Sequence, residues 1–345
     1  MAPAAGVRLD PSKPSREQQE YAAYFTQHPE AVPRVRPDDD ARDPNLLSAM
    51  QNDTGNAERF ACLYDSTSRY CHTLNAWLNF DGRRWSVDDD GQAELKAELT
   101  TTAYMNQAVK AKNEDAKKFA RQCLEHHGIV SCLASARRHL SIKPAELDRQ
   151  RFLLNCQNGT VDLTTGILEP HQPGHFITKV VHHDYRPDTP PPDRFLAFLD
   201  RIFACNDDLI LYMQKVFGYA LTGDVSERSV WCLFGRGSNG KTTLLETIRS
   251  LIAEYSAQLM IDSLMLHSSR ESSASLSDLS ALRGARFVTT SEVESGQTLA
   301  VAKLKYLTAG AGMIKTVRKY ENPLEFETTH KLFLDANHRP RIRAV

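Results

Sequence analysis

The chain lacks long apolar runs, a marked net charge and closely spaced cysteines. Its apolar runs stay short of the roughly 20 residues that a membrane-spanning helix needs, so we expect no membrane partner. Met1–Gly6 is followed by Arg8 and Asp10 instead of an apolar segment, which predicts no signal peptide and a cytoplasmic location. The formal net charge of −1 neither favours nor excludes nucleic acid as a partner.

The seven cysteines are scattered, and none forms a Cys-x-x-Cys pair. This odd number and wide spacing argue against a disulfide framework and against structural zinc. We expect reduced thiols, as in a cytoplasm.

A glycine-rich pattern stands out instead, directly behind a short apolar segment. Val230–Phe234 predicts a buried strand, and the next residues fit G-x-x-x-x-G-K-(S/T), the phosphate-binding P-loop. Gly235, Gly237 and Gly240 allow the backbone to curl so that its N–H groups point at phosphate oxygens. The helix predicted from Lys241 adds its positive N-terminal end.

This pattern predicts ATP and Mg²⁺ as cofactors. Lys241 is expected to contact the β- and γ-phosphates, and Thr242 to offer its hydroxyl to Mg²⁺. A glycine-rich turn with an incidental lysine is the alternative, but the strand before it and the amphipathic helix after it favour nucleotide binding. The predicted nucleotide-binding residues are Gly235, Arg236, Gly237, Ser238, Asn239, Gly240, Lys241, Thr242 and Thr243.

A second strand, predicted within residues 285–294, ends in carboxylates. We expect it next to the P-loop strand, where an acid holds Mg²⁺ through water and polarises the attacking water. Glu292 is the first candidate for both tasks and Glu294 the second, since residues two apart share a face of an extended chain. A polar strand end is the alternative.

The C-terminal region is locally basic. Residues 313–345 hold seven Lys and Arg against four Asp and Glu, which leaves +3. Residues 313–320 and 325–329 predict a hairpin that suits a phosphate backbone, with an exposed, solvated hairpin as the alternative. Asn337 follows a third strand over residues 331–336 and is predicted to contact the γ-phosphate or the attacking water.

Composition divides the remaining chain. Residues 1–46 contain seven of the sixteen prolines and predict a flexible arm. Within the next region, residues 77–85 predict a hairpin and residues 93–126 a long helix. The predicted domains are a flexible arm (1–46), a mainly helical domain (47–150), a β-rich segment with a proline-rich linker (151–193) and a P-loop ATPase domain (194–345).

The order of these pieces resembles phage and plasmid primase-helicases of helicase superfamily III, with poxvirus primase-helicase as a more distant relative. The resemblance covers about residues 47–345. It rests on F-G-R-G-S-N-G-K-T-T, F-V-T-T-S-E-V-E, K-Y-L-T-A-G-A-G and L-F-L-D-A-N-H-R-P-R-I, and on segments 52–85 and 155–171. It implies an α/β fold, with an AAA+-like P-loop NTPase core behind a mainly helical domain and a small β-containing segment.

The resemblance also implies residue roles. Lys241 and Thr242 would be the Walker A residues, Glu292 and Glu294 the Walker B acids, and Asn337 the sensor 1 residue. Lys315, Arg318 and Lys319 lie in the hairpin region that would face single-stranded DNA. Lys305 matches the lysine of an additional motif of the superfamily and is also implied to bind DNA. The implied assembly is a homo-hexameric ring with ATP between subunits, encoded by a phage, plasmid or prophage in a bacterial host and accompanied by a primase domain or protein.

Two features depart from the family pattern. Gly310-Ala311-Gly312 stands where relatives usually have Gly-Gly-Asp, and the family continues beyond Val345 into a segment with an arginine finger. We therefore expect a truncated ATPase domain. The sequence favours an ATP-dependent DNA helicase module that translocates on single-stranded DNA. The alternatives are an ATP- and DNA-binding ring module with little turnover, and a packaging or partition ATPase.

Overall fold

The computed structural model describes residues 44–235, 237–265, 279–290, 298–310, 312–316, 324–338 and 341–342. The chain divides into two compact units, residues 1–45 and 46–345, and the architecture below is that of the second. Nearly all of the predicted N-terminal arm lies outside the described residues.

The first part of this unit combines four helices with a small antiparallel sheet. The helices are α1 (Asp53–Tyr64), α2 (Gln92–Lys110), α3 (Glu114–Cys123) and α4 (His126–Ala136). The sheet has the order β1 (Ser68–Cys71), β2 (Ala76–Phe80) and β3 (Trp85–Val87). Phe60, Tyr70 and Trp77 meet edge to face in the core between helices and sheet. The β2–β3 pair is the hairpin predicted at residues 77–85.

The helix predicted over residues 93–126 is interrupted. Helix α2 ends at Lys110, Lys112 adopts a left-handed φ of 55°, and the Asn113 side chain accepts a hydrogen bond from the Ala116 amide at 3.0 Å. An asparagine that caps a new helix competes locally with helix continuation. The apolar pattern continues through this break, which is why the pattern alone predicts one helix.

The middle of the chain adds a second antiparallel sheet and two helices. The strands are β4 (Leu153–Cys156), β5 (Gly159–Asp162) and β6 (Ile167–Glu169), and the helices are α5 (Asp193–Ile202) and α6 (Asp207–Leu221). Helix α6 begins where Asn206 accepts a hydrogen bond from the Leu209 amide at 3.0 Å.

A four-stranded parallel sheet forms the centre of the last part. Its order is β7 (Val230–Phe234), β13 (Lys331–Ala336), β9 (Phe287–Thr290) and β8 (Ser256–Leu259). The other elements are α7 (Lys241–Ile252), β10 (Thr298–Leu299), α8 (Val301–Leu307), β11 (Met313–Thr316), β12 (Leu324–Glu327) and β14 (Arg341–Ile342). The fold is therefore mixed α/β, as predicted, and its central sheet is parallel.

Strand β13 is buried along its whole length, and its side chains alternate between two cores. Leu332 and Leu334 belong to the core that includes Val288, whereas Phe333 packs with Phe287 and with Leu245 of α7. Near-continuous burial is typical of a central strand in a parallel sheet covered on both faces.

The predicted neighbour of the P-loop strand is wrong. Strand β9, which leads toward Glu292 and Glu294, does not pair with β7, because β13 lies between them. Parallel strands are joined by crossovers, so order along the chain does not fix order in the sheet. The strand next to β7 is consequently the one that leads to Asn337.

Among the residues that the structure describes, we find no helix with the length and apolar character needed to cross a lipid bilayer.

Candidate functional site

The glycine-rich loop joins β7 to α7 at the carboxyl edge of the parallel sheet. Gly240 is the N-cap of α7, with a left-handed φ of 86°, and no side chain caps this helix end. A Cβ atom on Gly240 would lie 2.6 Å from Cγ2 of Ile202 and 3.3 Å from Cε2 of Phe198. Both the backbone conformation and the packing of α5 against the loop therefore require glycine here. The uncapped helix start leaves its first amide groups available to an anion.

Lys241 is the first residue of α7, and its ammonium group turns back into the loop. Its Nζ donates to the Gly235 carbonyl at 2.9 Å, to Asn239 Oδ1 at 3.0 Å and to Asn337 Oδ1 at 3.2 Å. The structure thus brings together two predicted site residues that are 96 positions apart in the sequence. These three acceptors use all three protons of the ammonium group.

Thr242 contacts a residue that the sequence analysis did not assign to the site. Its hydroxyl donates to Asp335 Oδ2 at 2.8 Å. The other carboxylate oxygen, Oδ1, lies 4.0 Å from Lys241 Nζ, is buried, and accepts no hydrogen bond from the described residues. Asp335 is 8% exposed, whereas Thr242 is exposed at the surface of the loop.

A signal for Asp335 is present in the sequence. Asp335 precedes Asn337 by two positions on an extended segment, so both side chains lie on the same face. The Lys241 contacts place them together on the side of β13 that faces the loop. In the sequence, Asp335 contributes only to the charge of the C-terminal region, because the strand that leads to Glu292 and Glu294 ends in carboxylates and is the stronger candidate for the acidic role.

Several predicted site residues lie outside the described part of the chain. These are Arg236 in the loop, Glu292 and Glu294 after β9, and Arg318 and Lys319 after β11. Their predicted roles stay predictions.

Two of the predicted DNA-binding lysines are described, and both are exposed. Lys305 lies on α8, and Lys315 lies on β11. Lys315 faces Glu325 across the hairpin, with 2.7 Å between Lys315 Nζ and Glu325 Oε1. The hydrogen bond to Glu325 and its negative charge raise the pKa of Lys315. The Tyr306 hydroxyl of α8 accepts from the Lys315 amide at 3.0 Å, so helix and hairpin are joined directly.

Oxygen atoms of Thr242 and of Asp335 on β13 fit Mg²⁺ held together with a nucleotide. The described residues contain no cluster of three or more His, Cys, Asp or Glu side chains that would hold a metal on their own. Mg²⁺ at nucleotide sites instead needs only one or two protein oxygens beside phosphate oxygens and water. The Thr242 hydroxyl is a hard oxygen donor of that kind, and Asp335 Oδ1, which accepts no hydrogen bond from the described residues, is available to a water bound to such a cation.

Two family models match successive parts of the chain. Residues 57–204 match the model described as D5 N terminal like, and residues 233–344 match a family of unknown function, DUF5906. A protein of Acanthamoeba polyphaga mimivirus, provisionally named helicase L207/L206, is 27% identical over 202 residues. The match covers 57% of this chain and 21% of the viral protein, so this chain spans about a fifth of that relative.

Solved structures of the NrS-1 C-terminal region align at 10% identity. One apo structure aligns with a TM-score of 0.46 over 82% of this chain and 57% of that one. The A form apo structure of the same NrS-1 region aligns with a TM-score of 0.45 over 79% of this chain and 53% of that one.

These comparisons show what the chain is similar to: a D5 N-terminal-like domain over residues 57–204 and, over 202 residues, a viral protein with a helicase name. The chain carries a D5 N-terminal-like domain, and the predicted resemblance to the phage and plasmid primase-helicase family is confirmed.

Proposed function

We propose that the chain contains the ATP-driven motor of a DNA helicase, with a P-loop NTPase core formed by the parallel sheet and α7. One observation carries the proposal. Lys241, Thr242 and Asn337, predicted separately as parts of one site, converge at the carboxyl edge of the sheet. In open α/β sheets, ligands bind at this edge.

The loop would bind the phosphates of ATP through charge and oriented amides. The amides at the start of α7 would donate to phosphate oxygens. Lys241 would exchange its three present acceptors for β- and γ-phosphate oxygens. Released from Lys241, the amide of Asn337 would hydrogen-bond the γ-phosphate or the attacking water.

Thr242 and an acidic side chain would hold Mg²⁺ with the nucleotide. The cation would neutralise charge that develops on the transferred phosphoryl oxygens. Glu292 is proposed to orient the attacking water and accept its proton, with Glu294 beside it. Both acids follow β9, which is separated from β7 by β13.

The proposed DNA-binding elements are α8 and the β11–β12 hairpin, with Lys305, Lys315, Arg318 and Lys319. Tyr306 joins the two described elements, so a displacement of α8 would move the base of the hairpin. A homo-hexameric ring that encloses single-stranded DNA is the assembly implied by the family resemblance, and a primase domain or protein is a proposed partner.

Strand separation tests this proposal against its alternatives. A forked duplex with one fluorescent strand is incubated with the chain and Mg-ATP, and released strand, released phosphate and bound nucleotide are measured for the wild type and Lys241→Ala. ATP-dependent release that the variant lacks supports the helicase. Turnover without release favours a packaging or partition motor, and nucleotide binding without turnover favours a ring module with little activity. Lys215→Ala, at an exposed lysine on α6, is the control and should release strand at the wild-type rate.

A further inference from the structure

Asp335 occupies an unusual position for a carboxylate. It lies in β13, the central strand next to β7, where every residue from Lys331 to Ala336 is buried. Burying a charged group is costly unless it is paired and hydrogen-bonded. Only one of the two carboxylate oxygens of Asp335 is hydrogen-bonded. Oδ2 accepts a hydrogen bond from Thr242, and Oδ1 accepts none from the described residues.

The one cation beside Asp335 in the described structure does not complete it. Lys241 Nζ is 4.0 Å from Oδ1, beyond hydrogen-bond range, and its three protons are directed at Gly235, Asn239 and Asn337. Lys241 therefore lowers the electrostatic cost of the buried carboxylate without occupying its free oxygen. Oδ1 remains an acceptor at the bottom of the loop.

Asp335 also determines how Thr242 presents its oxygen. A hydroxyl has one proton and two lone pairs, and here the proton is directed at Asp335 Oδ2. The lone pairs then point away from the carboxylate, and Thr242 is exposed on the loop surface. This is the arrangement that a cation-binding hydroxyl needs.

We propose that Asp335 is the carboxylate that positions Mg²⁺ in the proposed nucleotide site. Its Oδ2 holds the Thr242 hydroxyl in the orientation that binds the cation, and its Oδ1 accepts a hydrogen bond from a water of the cation's hydration shell. The inference rests on the proposed function and deepens it. It assigns the role of positioning Mg²⁺ to Asp335, on the strand adjacent to β7, instead of to Glu292. Glu292 keeps its proposed role of orienting the attacking water.

The test compares nucleotide affinity with and without Mg²⁺. A fluorescent, non-hydrolysable ATP analogue is titrated into the full chain in MgCl₂ and in EDTA, for the wild type and Asp335→Asn. The wild type should bind more tightly in Mg²⁺. In the variant, the ratio of the affinity in MgCl₂ to the affinity in EDTA should be about tenfold smaller, which is the scale typical of a lost outer-shell metal partner. In EDTA the variant should bind as well as the wild type. A structural role would weaken binding in both buffers.

Two further variants make the result specific. Asp224→Asn removes a carboxylate that accepts a hydrogen bond from the Ser226 hydroxyl in the segment before β7. This variant should keep the full increase in affinity that Mg²⁺ gives the wild type. Thr242→Val should lose the gain, and combining it with Asp335→Asn should add little, since both changes act on one contact. If Asp335→Asn does not fold, Asp335→Ser and Thr242→Val carry the comparison.

The inference is overturned if wild type and Asp335→Asn show the same Mg²⁺ gain, or if Thr242→Val retains it; the proposed function would survive either result. If the wild type binds no nucleotide in either buffer, the proposed function falls and the inference falls with it.

Discussion

At the scale of single residues, Lys241 and Thr242 join the glycine-rich loop to the end of β13. Lys241 contacts two loop oxygens and Asn337, and Thr242 contacts Asp335. These contacts keep the cationic and hydroxyl groups at the carboxyl edge of the sheet. A bound phosphate would have to replace the acceptors of Lys241, and this exchange costs little because one set of charge-assisted hydrogen bonds substitutes for another.

Gly240→Ala tests the geometry of the loop. The new Cβ would meet Ile202 and Phe198 of α5 in a left-handed backbone conformation. We expect weaker nucleotide binding and a loss of about 1–3 kcal/mol in the free energy of unfolding, measured by urea denaturation. Gly218→Ala is the matched control, since Gly218 lies within α6 and its added Cβ meets open space. It should stabilise by about 0.5–1 kcal/mol. Equal effects of the two substitutions would contradict this account.

His330, just before β13, makes stability depend on pH. Burial, aided by the positive charge of Lys331, lowers the pKa of His330 to about 4 from its ordinary value of 6.5. Between these two values the unfolded chain binds the proton and the folded chain does not. The stability that neutral His330 permits is therefore present above pH 6.5 and falls as the pH drops toward 4, by about 3 kcal/mol.

His330→Leu should remove this part of the pH dependence. Urea unfolding at pH 7 and pH 4.5 would show a smaller acid loss in the variant than in the wild type. If both chains lose the same free energy, His330 is not the group responsible.

At the scale of elements, local sequence patterns predict most of the strands and helices named in the sequence analysis, but they do not predict the order of the strands in the sheet. The helix from Lys241, the hairpin at residues 77–85 and the strand over residues 331–336 are all present. The P-loop strand is present too, but the prediction that it is buried is wrong, because β7 lies at the edge of the sheet and is partly exposed. Each is encoded by the residues within it. The place of β13 between β7 and β9 depends on crossovers and on packing of both sheet faces, so the adjacent acid on β13 was missed. In the sequence, Asp335 is one acidic residue within an apolar strand. Its contact with Thr242 follows from the position of β13 beside β7, which the sequence does not give.

The β11–β12 hairpin offers a test of the proposed DNA contacts. Glu325 pairs with exposed Lys315 and cancels part of its charge. Glu325→Gln should tighten binding of single-stranded DNA, and the slope of log affinity against log salt should steepen by up to about one unit. Lys315→Ala should weaken binding and flatten the slope. Fluorescence anisotropy with a labelled oligonucleotide measures both, and unchanged affinity in both variants would place DNA elsewhere on the chain.

At the scale of the whole molecule, the parallel sheet and the segments before it share contacts. Arg286, just before β9, is buried and donates to the carbonyls of Gln150 at 3.1 Å and Leu153 at 2.6 Å. Glu254, before β8, pairs with Arg84 of the β2–β3 hairpin and accepts from the Val180 amide. One apolar core includes Leu154 of β4 together with residues of the sheet. These links argue that residues 46–345 unfold together.

Tryptophan fluorescence tests this cooperativity. Trp77 and Trp85 report on the β1–β3 sheet, and Trp231 reports on β7. In urea, Trp231→Phe and the Trp77→Phe/Trp85→Phe double variant should each show one transition. Because the two variants differ in stability, each fluorescence transition is compared with that of the same variant followed by circular dichroism. Coincidence in both variants supports a single unit, and separated transitions would show that the helical region and the sheet fold independently.

The most direct test of the central claim is ATP hydrolysis by the full chain, with and without single-stranded DNA, for the wild type and Lys241→Ala. We predict turnover that rises when DNA is added and disappears in the variant, because Lys241 joins the loop, Asn337 and the proposed phosphate site. Turnover that is unchanged in Lys241→Ala, or an absence of both turnover and nucleotide binding in the wild type, would contradict the account.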